Sequence, residues 1–217
     1  TSLLADGRLY VHLDIEQPVT ASGQTLISSV LLCLDAKTGA VRWQNKLDGF
    51  STAFEDTRLD GAPMLHEGKL FALARRRKPF GFEACNLLRF NTETGNLIWT
   101  VHLGEAATGS YGYHRPTLTH PAANGDLVFV QSNLGTVSAV SVDTGRVVWL
   151  TQYESKFADA PEGFWPSRMG RPMRSWQYPA AVTWRDAVIV MPLDSDSFMA
   201  LNTNDGRELF RVGLEAL

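Results

Sequence analysis

The chain has 217 residues, 44% hydrophobic and 20% charged, with a formal net charge of −3. That balance leaves no electrostatic footprint for nucleic acid, and there is no basic tail. No apolar run reaches the ~18–20 residues that a membrane-spanning helix needs.

Taken in order, short strands alternate with turns. Leu3 and Leu4, a turn at Asp6-Gly7 and the alternating run 8–13 read as a strand pair. A long polar connection is expected over 14–24, with Pro18 and Gly23 as breakers. Residues 28–34 and 41–47 make two more strands. A second set follows: 62–65, a turn at Glu67-Gly68, 69–73, a connection over 75–83 that carries Arg75, Arg76 and Arg77, then 86–90 and 97–103. The third set begins with 117–119, a widened turn over 120–126 and 127–130, and ends with 136–142 and 146–151. The fourth has 180–182, a turn at Trp184 to Asp186, 187–190, a tight connection at 194–197, then 198–201 and 208–212. The opening residues, Thr1 to Gly7, read as the middle of a repeat, so a longer parent chain is expected.

One motif recurs in each set. It is Leu34-Asp35-Ala36-Lys37-Thr38-Gly39-Ala40-Val41-Arg42-Trp43, and it returns around Asn91, Gly95 and Trp99. A third copy, read as one residue shorter, holds Asp143, Gly145 and Trp149, and a worn fourth holds Gly206 and Phe210. The four glycines are 56, 50 and 61 residues apart, the mark of a repeat with loops of variable length. Asp or Asn closes a strand and caps the next amides, and Gly supplies the positive φ of a tight hairpin. The aromatic residue four positions after Gly falls on one side of the return strand each time, as a spacer between neighbouring repeats. A β-sandwich also has short strands, but it does not predict such a motif at every fourth strand. The fold expected is all-β: a β-propeller of four-stranded antiparallel blades, about 1–48, 62–103, 116–152 and 179–213, in one segment spanning 1–217.

The run Asp6-Gly7-Arg8-Leu9-Tyr10-Val11, followed by the 34–43 motif, resembles the quinoprotein-type (PQQ-like) propeller repeat. The resemblance covers all four repeats and is specific for fold rather than function. It groups the chain with quinoprotein dehydrogenases, with the propeller lipoprotein of the bacterial outer-membrane assembly machine, and with sensor domains. It implies a bacterial, periplasmic or envelope location and a ring of seven or eight blades, of which this chain supplies four; a complete four-bladed ring is the alternative.

Every long connection in this reading leaves the propeller on the face opposite the motif turns, and loops carry function more often than scaffolds do. Two of them are rich in aromatics and arginines, the residue types favoured at binding sites. The candidate ligand- or partner-binding residues are Tyr111, Tyr113, His114 and Arg115 in one, and Trp165, Arg168, Arg171, Arg174 and Trp176 in the other. The bland alternative is that these loops cap the central channel. No catalytic or metal-binding set is expected. His114 and His120 lack triad or zinc partners, Asp194 and Asp196 are read as turn caps, and Cys33 and Cys85 are read as unpaired thiols. The quinoprotein resemblance would imply a quinone held near a Cys-Cys pair with calcium, and this sequence has no such pair. No cofactor is therefore expected, and PQQ with calcium belongs to the alternative of a dehydrogenase segment. A ligand-sensing domain is the third possibility. The expected partner is a protein or the remaining blades.

Overall fold

The computed structural model describes residues 2–18, 25–107, 119–155 and 180–213. Among them lie sixteen strands in four antiparallel groups. The first is β1 (Ser2–Ala5), β2 (Arg8–Pro18), β3 (Thr25–Asp35) and β4 (Val41–Lys46); the second is β5 (Thr57–His66), β6 (Lys69–Arg77), β7 (Phe82–Phe90) and β8 (Leu97–Ala107). The third is β9 (Ala122–Asn124), β10 (Leu127–Gln131), β11 (Thr136–Ser141) and β12 (Val147–Gln152); the fourth is β13 (Val182–Trp184), β14 (Ala187–Val190), β15 (Ser197–Asn202) and β16 (Glu208–Gly213). Within each group the strands pair in chain order. One parallel bridge, Ser28 to Thr57, joins the first two groups, and another, His120 to Ala180, ties the approach to the third to that of the fourth. First strands meet first strands, β1 against β5 and β9 against β13, as blades around an axis require.

The core lies between the sheets rather than inside any one of them. One cluster joins Tyr10, Leu31 and Trp43 of the first sheet to Leu70, Leu88 and Phe90 of the second. A second joins Phe71, Leu87 and Leu103 to Val128 and Val140, and a third joins Phe129, Val137 and Trp149 to Val188, Met199 and Leu201. Strand alternation produces this directly. Successive residues of a middle strand feed opposite clusters, as Leu70 and Phe71 do.

The motif makes the joints. Asp35 Oδ1 accepts from the Lys37 and Thr38 amides, and Gly39 sits at φ +72°. The motif tryptophan then lies on the glycine of the next sheet's motif. A Cβ on Gly95 would stand 2.4 Å from Trp43 Cε3, one on Gly145 2.8 Å from Trp99 Cδ2, and one on Gly206 2.5 Å from Trp149 Cε3. Trp43 Nε1 donates to the Thr92 carbonyl (2.9 Å) and Trp149 Nε1 to that of Thr203 (2.8 Å). An aromatic partner in its own sheet backs each ring: Tyr10, Phe71 and Phe129, at 5.9–6.1 Å between centroids. Glycine is thus required twice, for its backbone and for its missing Cβ.

Several details differ from the sequence reading, among them the 75–83 connection, where β6 runs on to Arg77 and β7 starts at Phe82. The third motif is not shortened: Gly145 N donates to the Ser141 carbonyl as Gly39 N does to that of Asp35. Ser141 therefore holds the capping position, and Asp143 sits at the exposed tip of the turn, paired with Lys69. The expected 14–24 connection is strand as far as Pro18, because the alternation of 8–13 continues and Asp14 accepts a hydrogen bond from Ser29. The inner strand of the second sheet starts at Thr57 and bulges between Asp60 and Met64. In the third sheet the strand that precedes β10 and pairs with it is Ala122–Asn124, with a two-residue turn in place of the wide one expected over 120–126.

Candidate functional site

At the end opposite the motif turns, the sheets are tied together by buried polar side chains. Arg75 continues the face of Phe71 and Leu73 on β6, so strand geometry drives its guanidinium inward, where only 1% is exposed. There Nε donates to Asp60 Oδ2 (3.1 Å), Nη1 to Glu83 Oε1 (3.0 Å) and Nη2 to the Ser132 carbonyl of the third sheet. Burial opposes its charge, but neighbouring Cys85, Asp60 and Glu83 outweigh that, and its pKa is raised. Burial pushes the Cys85 thiol up to about 11 against the pull of Arg75.

A second knot holds the third and fourth sheets. Tyr153 Oη donates to Asp194 Oδ1 (2.6 Å), and Gly135 N donates to Asp194 Oδ2 (3.0 Å). Burial, then the charge of Asp194, raise the Tyr153 pKa well above its ordinary value. Asp194 was expected to cap its own turn, but it reaches across to the neighbouring sheet. Gln131 Oε1 and Asn133 Oδ1 accept from the Met191 and Leu193 amides in the same way. Nearer the first strands, His12 Nε2 bonds the Gly61 carbonyl (2.7 Å) and His120 Nδ1 accepts from the Ala62 amide (3.1 Å). A Cβ on Gly61 would fall 1.9 Å from the Thr119 carbonyl oxygen, so the backbones touch there.

Above these knots a groove of about 480 Å³ runs between the second and third sheets. Glu105, Leu134, Thr136, Leu150, Tyr153 and Glu154 line it. Lys78 pairs with Glu105 on its rim. The groove lies where the chain leaves β8 toward 108–118 and leaves Ser155 toward 156–179, the two connections richest in aromatics and arginine. The nine candidates themselves, Tyr111, Tyr113, His114, Arg115, Trp165, Arg168, Arg171, Arg174 and Trp176, lie outside the described residues. The signal for Arg75, missed among the connection residues, was the unbroken alternation from Phe71.

A family model described as outer membrane protein assembly factor BamB matches residues 5–161. The chain belongs to that family. Tetrathionate hydrolase from Acidithiobacillus ferrooxidans is 30% identical over 115 residues, 52% of this chain and 20% of the hydrolase. Among solved structures, a europium-containing methanol dehydrogenase superposes with a TM-score of 0.60 at 13% identity, covering 98% of this chain and 41% of that one. Quinohemoprotein alcohol dehydrogenase ADHIIG from Pseudomonas putida HK5 gives 0.56 at 15%, with 98% and 33% covered. Likeness at these identities is one of fold, a PQQ-like β-propeller, and the chain spans well under half of each of these proteins. The quinone and calcium site of the resemblance does not fit the described residues. Cys33 and Cys85 are buried in different clusters, and Asp194 is engaged by Tyr153 and Gly135. Among the described residues no group of three His, Cys, Asp or Glu side chains stands close enough to hold a metal.

Proposed function

We propose that this chain is a non-catalytic propeller segment of a bacterial envelope or exported protein, and that its loop face holds a protein partner. The observation that carries the reading is the set of polar knots at the loop end. Arg75 is held by Asp60 and Glu83 of its own sheet and reaches the Ser132 carbonyl of the third, and Tyr153 is bonded to Asp194 across the third and fourth sheets. They fasten the end of the sheets from which the connections rich in arginine and aromatics leave, a pattern suited to recognition more than to proton transfer. The BamB family membership supports the envelope location and a role in assembly, and among the described residues no helix is long and apolar enough to cross a membrane. We read the four sheets, with the blade bounds given above, as part of a ring of seven or eight blades.

The test replaces Arg168, Arg171 and Arg174 together with Ala. Crosslinked capture of a partner from envelope extracts should fall while the melting temperature stays unchanged; a collapse of folding would make those arginines structural. Titration with PQQ and Ca²⁺, followed by tryptophan fluorescence, tests the dehydrogenase reading. Saturable micromolar binding there would overturn the scaffold.

A further inference from the structure

One position on the outer strands breaks the pattern of the repeat. The residue after the motif ring is Gln44 in the first sheet, Thr100 in the second and Arg211 in the fourth, each polar and exposed. In the third sheet it is Leu150, which is 46% exposed. A lone exposed leucine is ordinary, but one gathered with others over a depression marks a contact surface. Leu150 is of the second kind. With Leu103 and Leu134 it lines the groove between the second and third sheets.

The first joint is filled by the connection that crosses it. Phe54, in the short 3₁₀ turn Thr52–Phe54, is buried in the cluster between the first two sheets, and Phe50 packs on Phe90 with 6.2 Å between centroids. In the second joint β8 runs on as strand to Ala107, and of residues 104–107 only Ala106 joins the cluster. Two carboxylates stand on the walls of the groove left there. Glu105 is paired with Lys78. Glu154 lies exposed between Tyr153 and Ser155, both buried, and the Tyr153 bond to Asp194 fixes that stretch of chain. Among the described residues no cation pairs with Glu154: it adds to the field on Arg211, but that guanidinium is bonded to Glu208 (2.7 Å).

We infer that the groove seats a short extended segment of the protein partner, one that sets a lysine or arginine beside an apolar side chain. The apolar side chain lies against Leu103, Leu134 and Leu150, and the cation runs its methylene stem along Leu150 to reach Glu154. At about 480 Å³ the groove falls within the ~300–1,000 Å³ of binding clefts, room for a few residues rather than a folded surface. An acidic segment is disfavoured, because it would bring a like charge to Glu154 while Lys78 is already neutralised by Glu105. This rests on reading the loop face as a partner-binding surface, and it names what that partner presents.

The probe is a labelled hexapeptide of alternating leucine and lysine, titrated into the full chain and followed by fluorescence anisotropy. Hexapeptides alternating leucine with glutamate, and serine with lysine, are the controls. Saturable binding of the first alone is expected. Leu150→Gln, which installs the residue of the first sheet and takes nothing from the clusters, should weaken it about tenfold. Glu154→Gln should weaken it about threefold, an effect that vanishes near ~1 M salt. Glu93→Gln, at a motif turn of the opposite end, should change nothing, and circular dichroism checks the fold of each variant. Binding that is absent, equal in all variants, or as strong for either control peptide overturns the inference. So does a lower Tm for Leu150→Gln without peptide binding, the sign that the chain's own 108–118 or 156–179 fills the groove. Binding lost only with Arg168, Arg171 and Arg174 places the contact on the connections, overturning this inference while leaving the scaffold reading intact. Failure of the scaffold reading is seen separately, in the PQQ titration.

Discussion

Alanine at Gly95 and at Gly39 separates two demands on the motif glycine. Both residues hold left-handed backbone, at φ +69° and +72°. A side chain in that region costs roughly 1–2 kcal/mol. At Gly39 a Cβ meets nothing within 4 Å, so the backbone cost stands alone. At Gly95 it would lie 2.4 Å from Trp43 Cε3 and 2.5 Å from Asn45 Nδ2, and both must move. They then lose the bond from Trp43 Nε1 to Thr92 (2.9 Å) and that from Asn45 Nδ2 to Thr94 (3.1 Å). Each such bond contributes about 0.5–1.5 kcal/mol net, so the excess at Gly95 is about 2 kcal/mol. For a chain of this size that lowers the melting temperature by roughly 4–8 °C beyond the loss at Gly39. Dilute samples and calorimetry make the comparison. Equal losses at the two sites would refute the docking role and leave only the turn.

Trp43→Phe and Trp149→Phe each remove an N–H donor from a carbonyl and should cost about 1 kcal/mol in denaturant unfolding. Trp99→Phe should cost less or stabilise, because Trp99 Nε1 is buried without a hydrogen-bond partner among the described residues. Arg75→Ala leaves Asp60 and Glu83 buried without their cation, and should cost about 3–5 kcal/mol by urea titration; Arg75→Lys should not restore it, since one ammonium cannot match the guanidinium fork. Asp35 is held down to about 2, first by Arg42, then by Thr38 and Lys37. Its folded pKa lies below the unfolded value, so its stabilisation is complete above the ordinary carboxylate range and disappears as pH falls through about 2. Asp35→Asn should flatten that part of an acid unfolding curve.

The repeat was legible because it is local chemistry: a capping residue, a glycine and a ring at fixed spacing, which also led to the propeller. What the ring lands on was not legible, since Gly95 lies 52 residues beyond Trp43 and only the assembled joint brings them together. Reading Asp143 as the cap followed residue preference alone; Ser141 serves because its carbonyl and hydroxyl reach the same turn amides. Arg75 was hidden by its neighbours. Three consecutive arginines look like a solvated run, yet alternation buries Arg75 while Arg77 meets Asp56 nearer the surface. The candidate binding residues rest on composition, and aromatics with arginine in a long connection do not by themselves distinguish a recognition loop from a channel cap.

The joints bear on that last distinction through independence. The ring-on-glycine contacts, the knot at Arg75 and most of the three apolar clusters lie in strands or tight turns, while Tyr153 of the Asp194 knot follows β12. Substitutions more than about 7–10 Å apart, with no shared partner, act additively on stability. Replacing arginines in 156–179 should then leave Tm unchanged if they serve recognition, whereas arginines that cap the channel would share partners with these contacts and lower it. Measuring Tm alongside partner capture therefore discriminates the two readings, and that independence is what makes an unchanged Tm informative.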